Sequence, residues 1–218
     1  MFLEGEVFLL SNMYKCVESK GADEMKKALF FLFDGFAEFE VNLASLFLKS
    51  KGFEIVTASV DNATVTGEGG FQCKPHISID GIIAKEYEIL IVPGGEIFHH
   101  LENPKLLSLA REINEQNKWL AGICAGTALL QAADVLQNKR FSTSLTPEVE
   151  SLAHLHEWKY KQSTDVTVDG KIITAVGSAY VEFAAEIIKQ LNLFDEGEEK
   201  ETLLYFKNIK ELSNKTLA

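Results

Sequence analysis

A cysteine set between glycines is the residue of this chain best placed to do chemistry. The stretch Trp119-Leu-Ala-Gly-Ile-Cys124-Ala-Gly-Thr-Ala-Leu-Leu-Gln131 begins as a short apolar run and ends as a helix-forming run. A strand that turns abruptly into a helix needs small residues beside the turn, because the two backbones pack closely there. The apex residue is forced into a sparsely populated backbone conformation and its side chain is presented outward, as in a nucleophile elbow, here with a thiol. A helix N-terminus at that point favours a thiolate through its free N–H groups and positive dipole end. The plainer alternative is an inert cysteine buried in a strand–helix junction.

Two further segments carry groups that could serve such a thiol. Glu38 and Glu40 fall at the start of a helical pattern, and either carboxylate could accept or relay the thiol proton. Favourable charge placement in a first helical turn explains them equally well, and spacing alone does not choose between the two. Pro93-Gly94-Gly95 forms a loop whose N–H groups can approach a ligand closely, and with the N–H of Ala125 it could make an oxyanion hole. Among the histidines, His99 stands near Glu96 and His100 and could line a pocket mouth. Adjacent histidines point apart on a helix, so a solvated face is the better reading than a metal site. His154 and His156 alternate and would share a face if extended, so one of them could reach the site. No metal or other cofactor is expected.

The elements that must position these residues alternate. Ala28–Phe33 is continuously apolar, as a strand covered on both faces is. A helix over Glu38–Lys51, a strand over Phe53–Val60 and a small hairpin within residues 62–80 follow. Ile89–Val92 is a third buried strand, and Asn103-Pro104 starts a helix to about Gln116. Trp119–Ile123 and a helix over Ala125–Leu136 flank Cys124. Asp169-Gly170 marks a hairpin, and a helix spans Ala179–Leu191. Residues 1–26 read as an extension outside the fold, with Met25 a plausible start. Residues 27–194 form the domain, and residues 195–218 an acidic linker and an amphipathic helix over Thr202–Leu212. The pattern predicts an α/β fold with a mostly parallel sheet and helices on both faces, whose sites gather at the carboxyl ends of the strands.

Composition narrows the partners. The 218 residues suffice for one good core, and a formal net charge of −11 argues against nucleic acid or an anionic membrane. Cys16, Cys73 and Cys124 are too scattered for a disulfide framework or a zinc site, which suits a reducing, cytoplasmic setting. No apolar run approaches the length of a membrane span.

The order of Asp34-Gly-Phe-Ala-Glu-Phe-Glu40, Leu90-Ile-Val-Pro-Gly-Gly95 and Gly122-Ile-Cys-Ala-Gly126 closely resembles the DJ-one/ThiJ/PfpI family of the class I glutamine-amidotransferase-like superfamily, over about Lys27 to Leu193. The resemblance implies a flavodoxin-like three-layer sandwich, a reactive elbow cysteine at Cys124 and a carboxyl partner at Glu40 rather than Glu38. It further implies oxyanion donors at Gly95 and Ala125, a small-molecule substrate and a homodimer. Gly94, Thr146, His99 and His156 are the remaining pocket candidates.

Three departures limit the activity. Peptidase-like members carry histidine directly after the nucleophile, where this chain has Ala125. Many others place a histidine in a stretch that here reads Ser142-Thr-Ser-Leu-Thr146-Pro147, with Thr146 in its place. His156-Glu157 lacks the proline of the late amidotransferase motif and follows Cys124 too soon. Classical protease and glutamine-amidotransferase activities are therefore not expected. The remaining expectation is a cysteine-dependent enzyme acting on small carbonyl or amide substrates, by hydrolysis or by glyoxalase- or deglycase-like chemistry. The alternatives are a stress-response protein whose cysteine is oxidised, and a small-ligand binding module.

Overall fold

The computed structural model describes residues 25–149 and 152–207. Cys16, most of the expected N-terminal extension and the end of the expected last helix lie outside them. In chain order the elements are β1 (Lys27–Phe31), α1 (Glu38–Ser50), β2 (Glu54–Ser59), β3 (Val65–Thr66), β4 (Gln72–Cys73), β5 (Ile77–Ser78) and β6 (Tyr87–Val92). They continue with α2 (Pro104–Glu115), β7 (Trp119–Ile123), α3 (Thr127–Ala132), β8 (Val166–Asp169), β9 (Ile172–Ala175), α4 (Tyr180–Gln190) and α5 (Glu198–Phe206).

The main sheet has seven strands in the order β5-β2-β1-β6-β7-β9-β8, and only β8 runs antiparallel to its neighbour. This is the mostly parallel α/β arrangement that the alternation of elements predicts, in the flavodoxin-like form that the family resemblance implies. Ile89, Leu90 and Ile91 of the central β6 are fully buried, which is why that run is apolar without alternation. Truncating any of the three to alanine costs about 2–5 kcal/mol. Helix α1 packs on α4, and α2 packs on α3.

From β1 the chain passes to β2 on one side, then crosses to β6 on the other side of β1. The strand order therefore reverses between β1 and β6, the place where open sheets bind ligands beyond their carboxyl ends. The loops leaving these two strands are tied together there. Ala37 N–H donates to the Gly94 carbonyl (3.1 Å), and Glu96 N–H donates to the Gly35 carbonyl (3.1 Å).

Two elements differ from expectation. The helix expected over Ala125–Leu136 is a 3₁₀ turn over Cys124–Gly126 followed by the short α3, ended as Asp134 takes φ 62°. The acidic run after residue 195 is not a linker, because α5 begins at Glu198 with Glu198, Glu199 and Glu201 in its first turn. Carboxylates are favoured at that end of a helix dipole, and Lys51 and Lys189 pair with Glu198 (2.6 Å) and Glu199 (2.9 Å). The ring of Phe206 lies 5.1 Å from that of Phe47, which docks α5 on the domain.

Candidate active site

Strand β7 ends at Ile123, and Cys124 adopts φ 56°, a left-handed conformation that a non-glycine residue rarely takes. The turn is possible because Gly126 lies directly against the Val92 and Pro93 carbonyls, where a side chain has no space. Gly122 sits similarly close to Leu130 of α3. The expected elbow is therefore formed, and it places the thiol between the loops that follow β6 and β9, against Gly94 and Gly177.

The Glu38 and Glu40 carboxylates diverge, as positions two apart on a helix must. Glu40 is 2 % exposed, and its Oε2 accepts the Gly94 N–H at 2.6 Å. The Cys124 thiol donates a hydrogen bond to the same carboxylate. A side chain at Gly94 would come within 2.7 Å of both Glu40 Oε2 and Cys124 Cβ, and one at Gly177 within 2.5 Å of Glu40 Oε1. The two glycines therefore clamp the Cys124–Glu40 pair from either side. Burial pushes the Glu40 carboxyl above its ordinary range, opposed by the Gly94 N–H and the Cys124 thiol, while the Glu68 carboxylate adds to the rise.

Glu38 is not the exposed first-turn acid that its position suggests. Both of its carboxylate oxygens accept the Gly69 N–H (3.1 and 3.0 Å), which staples the β3–β4 hairpin to the start of α1. Burial works to raise its pKa, but backbone N–H groups of Gly69, Glu38 and Phe71 together hold it below the ordinary value. Its stabilisation is present above the unfolded carboxyl value and is lost as pH falls through the depressed folded value. Glu38→Gln is expected to cost about 1–3 kcal/mol, at roughly 2–4 °C of thermal midpoint per kcal/mol in a domain of this size. Melts of wild type and variant at pH 7 and pH 3 check this. The gap should close in acid, and equal midpoints at pH 7 would remove the staple.

The sequence leads one to expect a thiol acidified by a helix N-terminus, and the site gives the opposite. Burial, then the Glu40 charge, push the Cys124 thiol up to about 11, against hydrogen bonds from the Ser144 hydroxyl and the Ala125 N–H. Helix α3 spans only Thr127–Ala132, a short source of dipole to set against the burial and the Glu40 charge.

Ser144 is the residue that sequence reasoning missed. Its hydroxyl reaches the thiol and accepts the Gly177 N–H at 2.8 Å. Thr146, expected in this place, is half-buried and turns its hydroxyl to the Glu148 N–H at 3.3 Å. Several hydroxyl residues stand in a row here, and only the path of the loop selects among them.

The histidines fall elsewhere. His99 is exposed, and His100 packs on Phe31 and Phe33 at ring distances of 5.5 and 5.4 Å. His154 is exposed, whereas His156 is buried behind the elbow with its ring stacked on Phe141 at 4.8 Å. Burial, with Lys161 nearby, holds His156 down at about 4, so it is neutral. Among the described residues no cluster of three histidine, cysteine or acidic side chains could hold a metal ion, and no helix is long and apolar enough to cross a membrane. Gly95 takes φ 97°, which glycine alone tolerates easily, and its N–H donates no hydrogen bond among the described residues.

The arrangement is a neutral thiol held between a buried carboxylate, a hydroxyl and a backbone N–H. Such a group can attack an electrophilic carbon while passing its proton to the carboxylate.

The DJ-1/PfpI family model matches residues 26–190. A deglycase of Pyrococcus horikoshii is 28% identical over 150 residues, covering 68% of this chain and 89% of that protein. An uncharacterized protease of Bacillus subtilis is 29% identical over 194 residues, covering 83% of this chain and 90% of that one. Among solved structures, a DJ-1 superfamily protein of Agrobacterium tumefaciens superposes with a TM-score of 0.76 at 28% identity, over 85% of this chain and 100% of its own.

Proposed function

The chain belongs to the DJ-1/PfpI family, and from that premise we propose that it is a cysteine-dependent enzyme acting on small carbonyl compounds, with deglycase- or glyoxalase-like chemistry. The observation that carries the reading is the hydrogen bond from the Cys124 thiol to the buried Glu40 carboxylate, with the Ala125 N–H directed at the same sulfur. Relatives named deglycases support the choice of substrate class.

In this reading Cys124 Sγ attacks an aldehyde carbon as its proton passes to Glu40. The carbonyl π electrons move onto oxygen, and that oxyanion is held by the N–H groups of Ala125 and Gly95. With an α-oxoaldehyde the adduct is a hemithioacetal. Glu40 first returns the thiol proton to that oxygen and then carries the carbon-bound proton to the neighbouring carbonyl carbon. The hydroxyl proton passes to that carbonyl's oxygen, giving a thioester that water hydrolyses to an α-hydroxy acid and the free thiol. Ser144 orients the sulfur, and Gly94 and Gly177 let the Cys124–Glu40 pair sit directly against the backbone on either side. The reaction needs no metal or cofactor. We place the enzyme in the cytoplasm as a homodimer, an assembly that light scattering on the purified chain would check.

The redox reading stands second, because the same Cys124–Glu40 pair would serve it but the relatives named deglycases favour carbonyl chemistry. Turnover of methylglyoxal by wild type and by Cys124→Ser tests the proposal, and equal rates in the two would defeat it.

A further inference from the structure

The elbow has a second layer of polar groups that the proposed reaction does not use directly. The Cys124 carbonyl accepts the Thr143 hydroxyl at 2.7 Å and the Thr127 hydroxyl at 2.9 Å. Both threonines are almost wholly buried, at 1% and 0% exposure, and their oxygens lie 2.8 Å apart. Thr143 is fixed in turn by the Leu145 N–H at 3.2 Å. His156, 7% exposed, brings Nε2 to 3.5 Å from the Thr127 hydroxyl, and its buried Nδ1 has no hydrogen-bond partner among the described residues.

We infer that Thr127 and Thr143 are positioning residues for the proposed reaction, aiming the Ala125 N–H at the sulfur and the developing oxyanion by gripping the carbonyl of the same peptide unit from behind. The inference rests on the reading of Cys124 as nucleophile. In a planar trans peptide the C=O and the following N–H point in opposite directions, so fixing one fixes the other. The C=O of Cys124 and the N–H of Ala125 belong to one such unit, and that N–H is the backbone donor to the Cys124 thiol. Hydroxyl donors on the carbonyl also polarise the amide, which strengthens its N–H as a donor. The neutral His156 ring, walled by Phe141 at 4.8 Å and Trp158 at 5.1 Å, keeps this side dry. Protonated on Nε2, it donates to the Thr127 oxygen, whose single proton lies between the Cys124 carbonyl and the Thr143 oxygen and so backs the Thr143 hydroxyl that donates to that carbonyl.

A purely structural cap on the elbow would hold the fold and do nothing for the chemistry. Three measurements on Thr143→Val and Thr143→Ser separate the two roles: kcat, KM, and the pH profile of Cys124 alkylation by iodoacetamide. Removing a whole oxyanion donor costs roughly 10²–10³ in kcat, and here the donor is misaimed rather than removed. Thr143→Val should therefore lower kcat by about 10-fold with KM nearly unchanged. It should also move the alkylation profile to higher pH, because the N–H that favours the thiolate is weakened. Thr143→Ser, which keeps the hydroxyl, should restore both. The Thr127→Val and Thr127→Ser pair gives the same readings should Thr143→Val not fold. A valine variant with wild-type kcat and profile overturns the inference, as does a serine variant that loses as much as the valine one. The alkylation profile stays informative even if Cys124→Ser retains turnover, an outcome that defeats the proposed function alone.

Discussion

Cys124→Ser is expected to lower methylglyoxal turnover by at least about 10⁴-fold, since removing the nucleophile of a working site costs nearly everything the site contributes. The substitution isolates the chemistry. Serine is close to cysteine in size, and its hydroxyl inherits the Glu40 carboxylate as acceptor and the Ser144 hydroxyl and Ala125 N–H as donors. Nothing polar is left unsatisfied, and the strained φ of 56° is required equally of either residue. The thermal midpoint should therefore stay within a few degrees. What changes is the attacking atom, because an alkoxide is far harder to generate beside a carboxylate than a thiolate is. Loss of methylglyoxal followed by absorbance, with a melt of each protein, checks both halves. A serine variant that turns over at the wild-type rate excludes covalent catalysis at this position.

The elbow itself was legible because its cause is local. Gly122, Gly126 and the switch from an apolar run to a helical one require the close approach that the structure contains. Glu40 was legible only through the family motif. The periodicity of α1 puts Glu38 and Glu40 on different faces, but it does not say which face meets the β7 elbow. The role of Glu38 was hidden, because it depends on where a hairpin some thirty residues later docks, through the Gly69 N–H. Ser144 was hidden for a similar reason: the loop after α3 is irregular, and no period marks the residue that turns inward.

The acidity of the thiol was misjudged in sign. A sequence displays the helix start, which favours the thiolate, but not the burial and the ionised neighbour that oppose it. The acidic run near residue 198 was misread because its lysine partners, Lys51 and Lys189, are supplied by other elements. In each case the missing information was a tertiary neighbour, and the local pattern was sound.

Glu40→Gln should separate the acidity of the thiol from the activity of the enzyme. A thiol pushed up to about 11 is ionised in roughly one molecule in a thousand at pH 8. Two of the causes are the Glu40 charge and the hydrogen bond that the thiol donates to it, and glutamine removes both. Alkylation of Cys124 at pH 8 should therefore become faster in the variant. Turnover should nonetheless fall by about 10²–10⁴, because no group remains to take the thiol proton or to move the carbon-bound one. The fold should gain. The Glu40 carboxyl is raised above its unfolded value, so its favourable contribution exists only in acid and is lost as pH rises through the folded value. At neutral pH the buried carboxyl is therefore a net cost to the fold, and the amide keeps an acceptor for the Gly94 N–H. The variant should melt higher than wild type at pH 7, and the difference should shrink as pH falls toward the unfolded carboxyl value. Slower alkylation in Glu40→Gln would mean that this carboxyl favours the thiolate. Unchanged turnover would mean that it carries no proton in the reaction.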